Sequence, residues 1–468
     1  MTTVSPEVSA IDSHARCPLL LLLASALAWL VVSSVLGLIG SVQLHTPTFL
    51  ADCAFLSYGR MQPLQETAFV YGWLANAGLA LGLWMLARLG GESLRAGNWM
   101  VVGALFWNLG LTVGLVGIAT GDATGFSLFQ LPRYVQPLLL VAFGSIAVAG
   151  VLAWSDRRNE TTFATQWYVF AALFLFPWIF SVAQVTLLWV PVRGVLQAIA
   201  AGWFAQGAYT LWLAPLALAG AYYVVPKVTG RVLPAYQFSS LGFWTLIVIG
   251  AWTGGRHLIG GPVPAWISTM AIVSCSLLLF HYAVVLLNLR GAFKGRGVSL
   301  RLISFGLLAY VLGGILNAVT SMRAVAVITQ FTFFDQAEQQ LALYGAVSMM
   351  LFGVLYFAVP RLTGKAWASG PLVAGHSILV IVGVTLLVVS LGAAGWIQGK
   401  ALLDSKVAFA EIANLTRPWL LLATVAQALL LFANLLLTAN FLRTLATKPA
   451  EPAKNIFVVS AEMEATAS

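Results

Sequence analysis

The sequence predicts an all-α integral membrane protein, a bundle of twelve transmembrane helices. Two observations carry this reading. Of 468 residues, 60% are hydrophobic and only 8% are charged, far from the roughly even apolar share and one-quarter charged share of soluble domains. The apolar residues also gather into twelve runs of about twenty residues or more, the length a hydrocarbon core demands. The connections between them are too short for a separate soluble domain.

The N-terminal segment 1–18 contains Asp12, His14 and Arg16 and reads as cytoplasmic. The run after it is long enough to span, so no cleavable signal peptide is expected. The membrane domain, 19–443, places its helices near 19–42, 65–89, 98–120, 133–154, 166–190, 201–226, 238–258, 265–290, 301–322, 340–361, 372–397 and 417–443. The sixth and tenth end alike: YYVVPKVTGR (222–231) echoes YFAVPRLTGK (356–365), each stopped by Pro and anchored by interfacial aromatics and a cation. The segment 444–468, with Lys448, Pro449, Pro452 and a final AEMEATAS, holds little that can pack and is expected to be a disordered cytoplasmic tail.

The net charge of +9 does not point to nucleic acid, because the basic residues stand singly between apolar runs rather than in a stripe. They read as topology signals: 16 of the 24 Lys and Arg lie in the N-terminus, the even-numbered loops and the C-terminus, which places both termini in the cytoplasm. Cys17, Cys53 and Cys275 show no CxxC spacing and no even count, so neither a disulfide framework nor a zinc site is expected.

Four segments, GRMQPLQETAFVYGW (59–73), WFAQGAYTLWLAPLALAGAYYVVPK (203–227), FWTLIVIGAWTGGRHL (243–258) and LALYGAVSMMLFGVLYFAVPRLTG (341–364), carry a resemblance. In order and spacing they resemble the catalytic subunit I of haem-copper oxidases, most closely the cbb3-type cytochrome c oxidases and their nitric oxide reductase relatives. The resemblance implies the twelve-helix subunit I fold, two b-type haems and one copper, a membrane-anchored c-type cytochrome partner and a bacterial inner membrane.

That centre takes six imidazoles, and this chain has five histidines altogether. Carried over residue by residue, the resemblance puts the haem ligand of the second helix at Gln65 and the first copper ligand at Gln206. The adjacent copper pair falls on Arg256 and His257, and the His-x-His pair that holds both haems falls on Glu338 and Gln340. The redox tyrosine falls on Gly250. Five of six ligands are replaced. Gln is not a usual haem ligand, and Arg stays protonated and binds no metal. His14, His45, His281 and His376 are expected to lie too far apart to substitute, and His257 reads as a hydrogen-bonded survivor. No haem or copper is therefore expected in this chain.

Ionisable groups inside apolar helices are functional candidates. Gln65, Gln206, Arg256, His257, Glu338 and Gln340, with Asp335, are expected to converge in the outer third of the membrane as a hydrogen-bonded polar network, with Trp203, Trp212, Trp252 and Phe334 filling the space of the haems. The competing reading makes them solvated groups at loop ends. For function, the sequence leaves three readings open: a membrane scaffold in a respiratory electron-transfer complex, a working oxidase or reductase with divergent ligation, and a transporter or quinone- or proton-handling module on the same scaffold.

Overall fold

The computed structural model of the protein describes residues 6–447, and within them the architecture is wholly helical. Eleven helices are long and apolar enough to cross a membrane. They are α1 (Pro6–His45), α2 (Tyr58–Gly90), α3 (Gly97–Thr120), α4 (Gln136–Ser155), α5 (Ala164–Trp189) and α6 (Val195–Thr229). After α7 come α8 (Ala265–Lys294), α9 (Val298–Thr320), α10 (Phe333–Thr363), α11 (Gly370–Leu402) and α12 (Phe409–Ala446). The seventh crossing, α7 (Tyr236–Ile249), is shorter. The expected regular span over 238–258 stops at Ile249 and resumes as a 3-10 turn, Thr253–Leu258. The physical reason lies in Gly250, Gly254 and Gly255, which cost helix stability. The turn is held by close packing of its glycines, Gly254 against Gly202 of α6.

The two described chain ends meet at one end of the bundle. Arg16 Nε donates to Leu362 O at 2.6 Å, and Lys365 Nζ donates to Leu445 O at 2.7 Å. Helix α1 begins within the segment read as an N-terminal tail, and its Asp12 bonds Trp84 Nε1 at 3.0 Å and Arg88 Nη2 at 2.5 Å. Thr444 still belongs to α12; the rest of the expected tail lies, from residue 448, outside the described residues.

Three helices form the centre. The most apolar stretches of α2 and α6 are wholly buried and that of α10 is 94% buried, against 39–44% for the other eight long spans. Three crossings separate α2 from α6 and α6 from α10, so the chain repeats a four-helix unit three times. Each central helix widens into a π-helical segment: Ala68–Leu74, Ala208–Leu213 and Leu341–Ser348. Each also ends on a left-handed glycine, Gly91, Gly230 or Gly364. The echo between the sixth and tenth helices thus extends to the second. Close approach of α6 and α10 depends on Gly220, where a Cβ would stand 2.4 Å from Val354 Cγ2.

Candidate functional site

The N-terminal halves of α2, α6 and α10 converge at the end of the bundle opposite the described chain ends. Gln65, Gln206 and Gln340 lie there, three, two and one residues before the π-helical segments. A π turn carries an extra residue and re-aims the side chains beside it, which is why such turns collect at functional sites.

Arg256 reaches the centre from the 3-10 turn after α7. Its approach depends on contact between two glycine backbones, since a Cβ on Gly254 would stand 2.5 Å from Gly202 O. Arg256 Nη1 lies 2.8 Å from Glu338 Oε2 on α10 and 3.2 Å from Thr320 Oγ1. The Thr320 hydroxyl donates to Glu338 Oε1 at 2.7 Å, closing a triangle between the 3-10 turn, α9 and α10. Gln330 Nε2 caps the turn by donating to Arg256 O at 2.7 Å. Arg256 and Glu338 are each only 8% exposed, so they are not solvated loop-end groups. The contact to Oε2 is an ion pair by distance without hydrogen-bond alignment, and Arg256 Nε is buried with no partner.

The remaining positions border this pair without bonding to it. Gln206, Arg256, His257, Asp335 and Glu338 line one cavity of about 390 Å³. Gln65 and Gln340 line a second cavity of about 80 Å³, together with Glu66, Gln62 and Gln427. Gln336 and Gln339 border both. The expected single hydrogen-bonded network is thus a compact ion pair flanked by two cavities. Its six members share one region, but among the described residues only Arg256 and Glu338 of the six are joined by a side-chain polar contact. Asp335 instead accepts from Phe331 N at 2.8 Å. His257, read from sequence as hydrogen-bonded, makes no hydrogen bond among the described residues.

The aromatic filling is corrected as well. Trp203 and Trp252 line an outward-facing groove, and Trp212 stacks on Phe176 at 3.9 Å within the α5–α6 packing. Phe334 packs its backbone against Gly395 of α11. None of the four lines either cavity. Which face of its helix each residue occupies decides these placements, and composition does not report it.

The sequence reading passed over Glu66, the residue next to Gln65. It is 5% exposed. Its Oε1 accepts from Gln339 Nε2 at 2.6 Å and from Ser127 Oγ at 3.4 Å, and its Oε2 accepts from Gln130 Nε2 at 2.5 Å. Leu128 has φ +57°, a left-handed conformation costly for a branched residue, and Tyr71 Oη holds its carbonyl at 2.6 Å. Glu66 therefore pins the 121–135 connection down into the bundle. The signal was available, since an acid in an apolar span is a candidate by default; for Thr320 and Gln330 no comparable signal exists.

The other histidines stay apart, as expected. His45 bonds Thr424 Oγ1, His281 lies between Gly242 O and Tyr310 Oη, and His376 meets Tyr356 Oη. Among the described residues no three His, Cys, Asp or Glu side chains converge on one point. At the positions of the implied haem and copper ligands, the donors are amides, a guanidinium, one imidazole and one carboxylate. A haem is a drug-sized ligand and requires roughly 300–1,000 Å³. The space beside Gln65 and Gln340, about 80 Å³, falls below that range, whereas the cavity at Gln206, Arg256, His257 and Glu338, about 390 Å³, falls within it. Gln65 Cγ and Gln427 Oε1 close over Gly37, 3.3 and 3.4 Å from where a Cβ would stand. By donor chemistry these residues do not fit the implied centre, and at Gln65 and Gln340 the space is lacking as well.

Residues 18–429 match the family model described as Cytochrome C and Quinol oxidase polypeptide I. Cytochrome c oxidase subunit 1 of Rhodobacter capsulatus is 23% identical over 452 residues, covering 90% of this chain and 84% of that protein. The cbb3-type cytochrome c oxidase subunit CcoN1 of Stutzerimonas stutzeri is 25% identical, covering 90% and 94%. A cytochrome c oxidase subunit 1 homolog of Azorhizobium caulinodans is 22% identical, covering 90% and 80%. A cryo-EM structure of a heme-copper terminal oxidase dimer shares the fold with a TM-score of 0.75 and 13% identity, covering 96% of this chain and 86% of that one.

Proposed function

This chain belongs to the cytochrome c and quinol oxidase polypeptide I family, whose members bind haems and copper, and from that premise we propose that it is a subunit I homologue whose metal centre has been replaced by protein. In this reading it reduces neither oxygen nor nitric oxide. It acts as a membrane scaffold in a respiratory electron-transfer complex and docks a membrane-anchored c-type cytochrome subunit. Its place is a bacterial inner membrane, with both termini cytoplasmic.

The observation that carries the proposal is the Arg256–Glu338 ion pair. One member stands at an implied copper-ligand position, the other at an implied haem-ligand position, and they neutralise each other at 2.8 Å. A permanently protonated guanidinium has no lone pair for a metal, and Arg256 also engages the Glu338 carboxylate, the anionic donor of the set. The small cavity at Gln65 and Gln340 supports the same reading from the side of space.

The test is a reduced-minus-oxidised visible spectrum with metal analysis on the purified chain, freed of any cytochrome partner. We expect neither b-type haem nor copper in stoichiometric amount; stoichiometric b-type haem sinks the proposal. The docking half is tested separately by mild solubilisation of native membranes. A c-type haem polypeptide is expected to copurify with this chain, and its absence refutes the scaffold role.

A further inference from the structure

At the end of the bundle that carries Arg256, two large hollows adjoin each other. An apolar groove of about 750 Å³ faces outward between α6, the 3-10 turn and α8, walled by Trp203, Trp252, Trp266 and Met270. A vestibule of about 920 Å³ lies beside it and shares Val195 and Pro262 with it. The vestibule in turn meets the inner 390 Å³ cavity at Ala198, His257 and Leu258.

The two hollows differ in chemistry. The groove is apolar and carries exposed indoles, with Trp252 53% and Trp266 62% exposed, the amphipathic side chains that sit at a membrane interface. The vestibule carries Arg323, Gln330, Ser268 and His257, and no acidic side chain among the described residues lines it. The acids Asp335 and Glu338 line the inner cavity instead. An anionic group is therefore attracted into the vestibule, where Arg323 meets no acid among the described residues, while in the chamber behind it Arg256 is already paired with Glu338 and Asp335 adds a further acid. At the mouth stands Phe331, 85% exposed and with φ +60°, a conformation rare for a bulky residue. Its N–H is held by Asp335. Strain of this kind collects where a chain clasps a ligand.

We propose that this pair of hollows binds an anionic phospholipid from the leaflet at that end of the bundle. An acyl chain lies in the tryptophan groove and the phosphate head enters the vestibule beside Arg323. Phe331 closes over the junction of head and chain.

The test uses the full-length chain in neutral detergent, by native mass spectrometry and thermal unfolding, with phosphatidylglycerol, phosphatidylcholine and soluble glycerol phosphate as probes. Phosphatidylglycerol is expected to be retained and to raise the unfolding midpoint more than phosphatidylcholine does, while glycerol phosphate does neither. Arg323→Gln, at an exposed position, is expected to weaken phosphatidylglycerol binding roughly fivefold, the effect of one cation near an anionic surface. Trp252→Ala is expected to weaken both lipids, with the lipid-free midpoint unchanged. Equal retention of the two phospholipids overturns the proposal, as does an Arg323→Gln protein that keeps the preference. So does glycerol phosphate that competes as well as the lipid, which would make the vestibule a site for a free anion.

Discussion

Arg256 and Glu338 are separated by 82 residues in sequence and by 2.8 Å in space, and Thr320 bonds to both. Removing one partner strands a buried charge, at a cost of about 3–5 kcal/mol. Glu338→Ala and Arg256→Ala are each expected to lower the unfolding midpoint sharply and to reduce the yield of assembled protein. The double change Arg256→Met with Glu338→Leu is expected to recover most of that loss, because an apolar pair of similar volume replaces a buried ion pair at little net cost. Unchanged stability of either single variant would refute a structural role for the pair.

Glu66 gives the connection 121–135 its acceptor. Glu66→Ala leaves the Gln130 and Gln339 amides without that partner, at about 1–3 kcal/mol for each buried group left unsatisfied. Limited proteolysis of that variant is expected to cut within 121–135 faster than in the unmodified protein. Glu66→Gln keeps a carbonyl acceptor and is expected to fall between the two. Equal cutting rates in all three proteins would show that the loop is held by other contacts.

Space and ligands are separable at the haem position. Gln65→His with Gln340→His supplies two imidazoles, but not the several hundred Å³ that a haem needs. We expect the double variant, expressed with haem supplied, to show no bis-histidine b-type spectrum. Such a spectrum at full occupancy would show that the 80 Å³ cavity opens readily.

Gly254→Ala tests how Arg256 is delivered. The new methyl would overlap Gly202 O at 2.5 Å, and overpacking of this kind costs about 1–3 kcal/mol. Because the 3-10 turn must then lift, the loss is expected to shrink in a background already lacking Glu338. Strict additivity of the two changes, measured by thermal unfolding, would disconnect the glycine contact from the ion pair.

Hydropathy made the eleven long spans legible, because in a bilayer the apolar length of a segment is set by the solvent rather than by its neighbours. It overextended the seventh crossing, where Gly250, Gly254 and Gly255 interrupt a run that still counts as apolar. The resemblance located Gln65, Gln206, Arg256, His257, Glu338 and Gln340 in one region. It carried no information on which of them touch, since that depends on the rotation of α10 and on a 3-10 turn with no signature of its own. Trp203 and Trp252 were misassigned for a related reason: in helices apolar all round, composition does not distinguish the lipid face from the interior. The Glu66 anchor was missed because its partners lie in a connection that hydropathy reads only as a gap.

The π-helical segments of α2, α6 and α10 act as angular offsets. A single residue in an α-helix corresponds to about 100° of rotation, so deleting one residue from 68–74, 208–213 or 341–348 would leave the half nearer the chain ends seated. The other half would turn by more than a quarter revolution. Gln65, Gln206 and Gln340 lie on the turning halves. Length variation within these segments therefore reorients the whole centre while barely altering the bundle that surrounds it, and a change of chemistry here needs no change of scaffold.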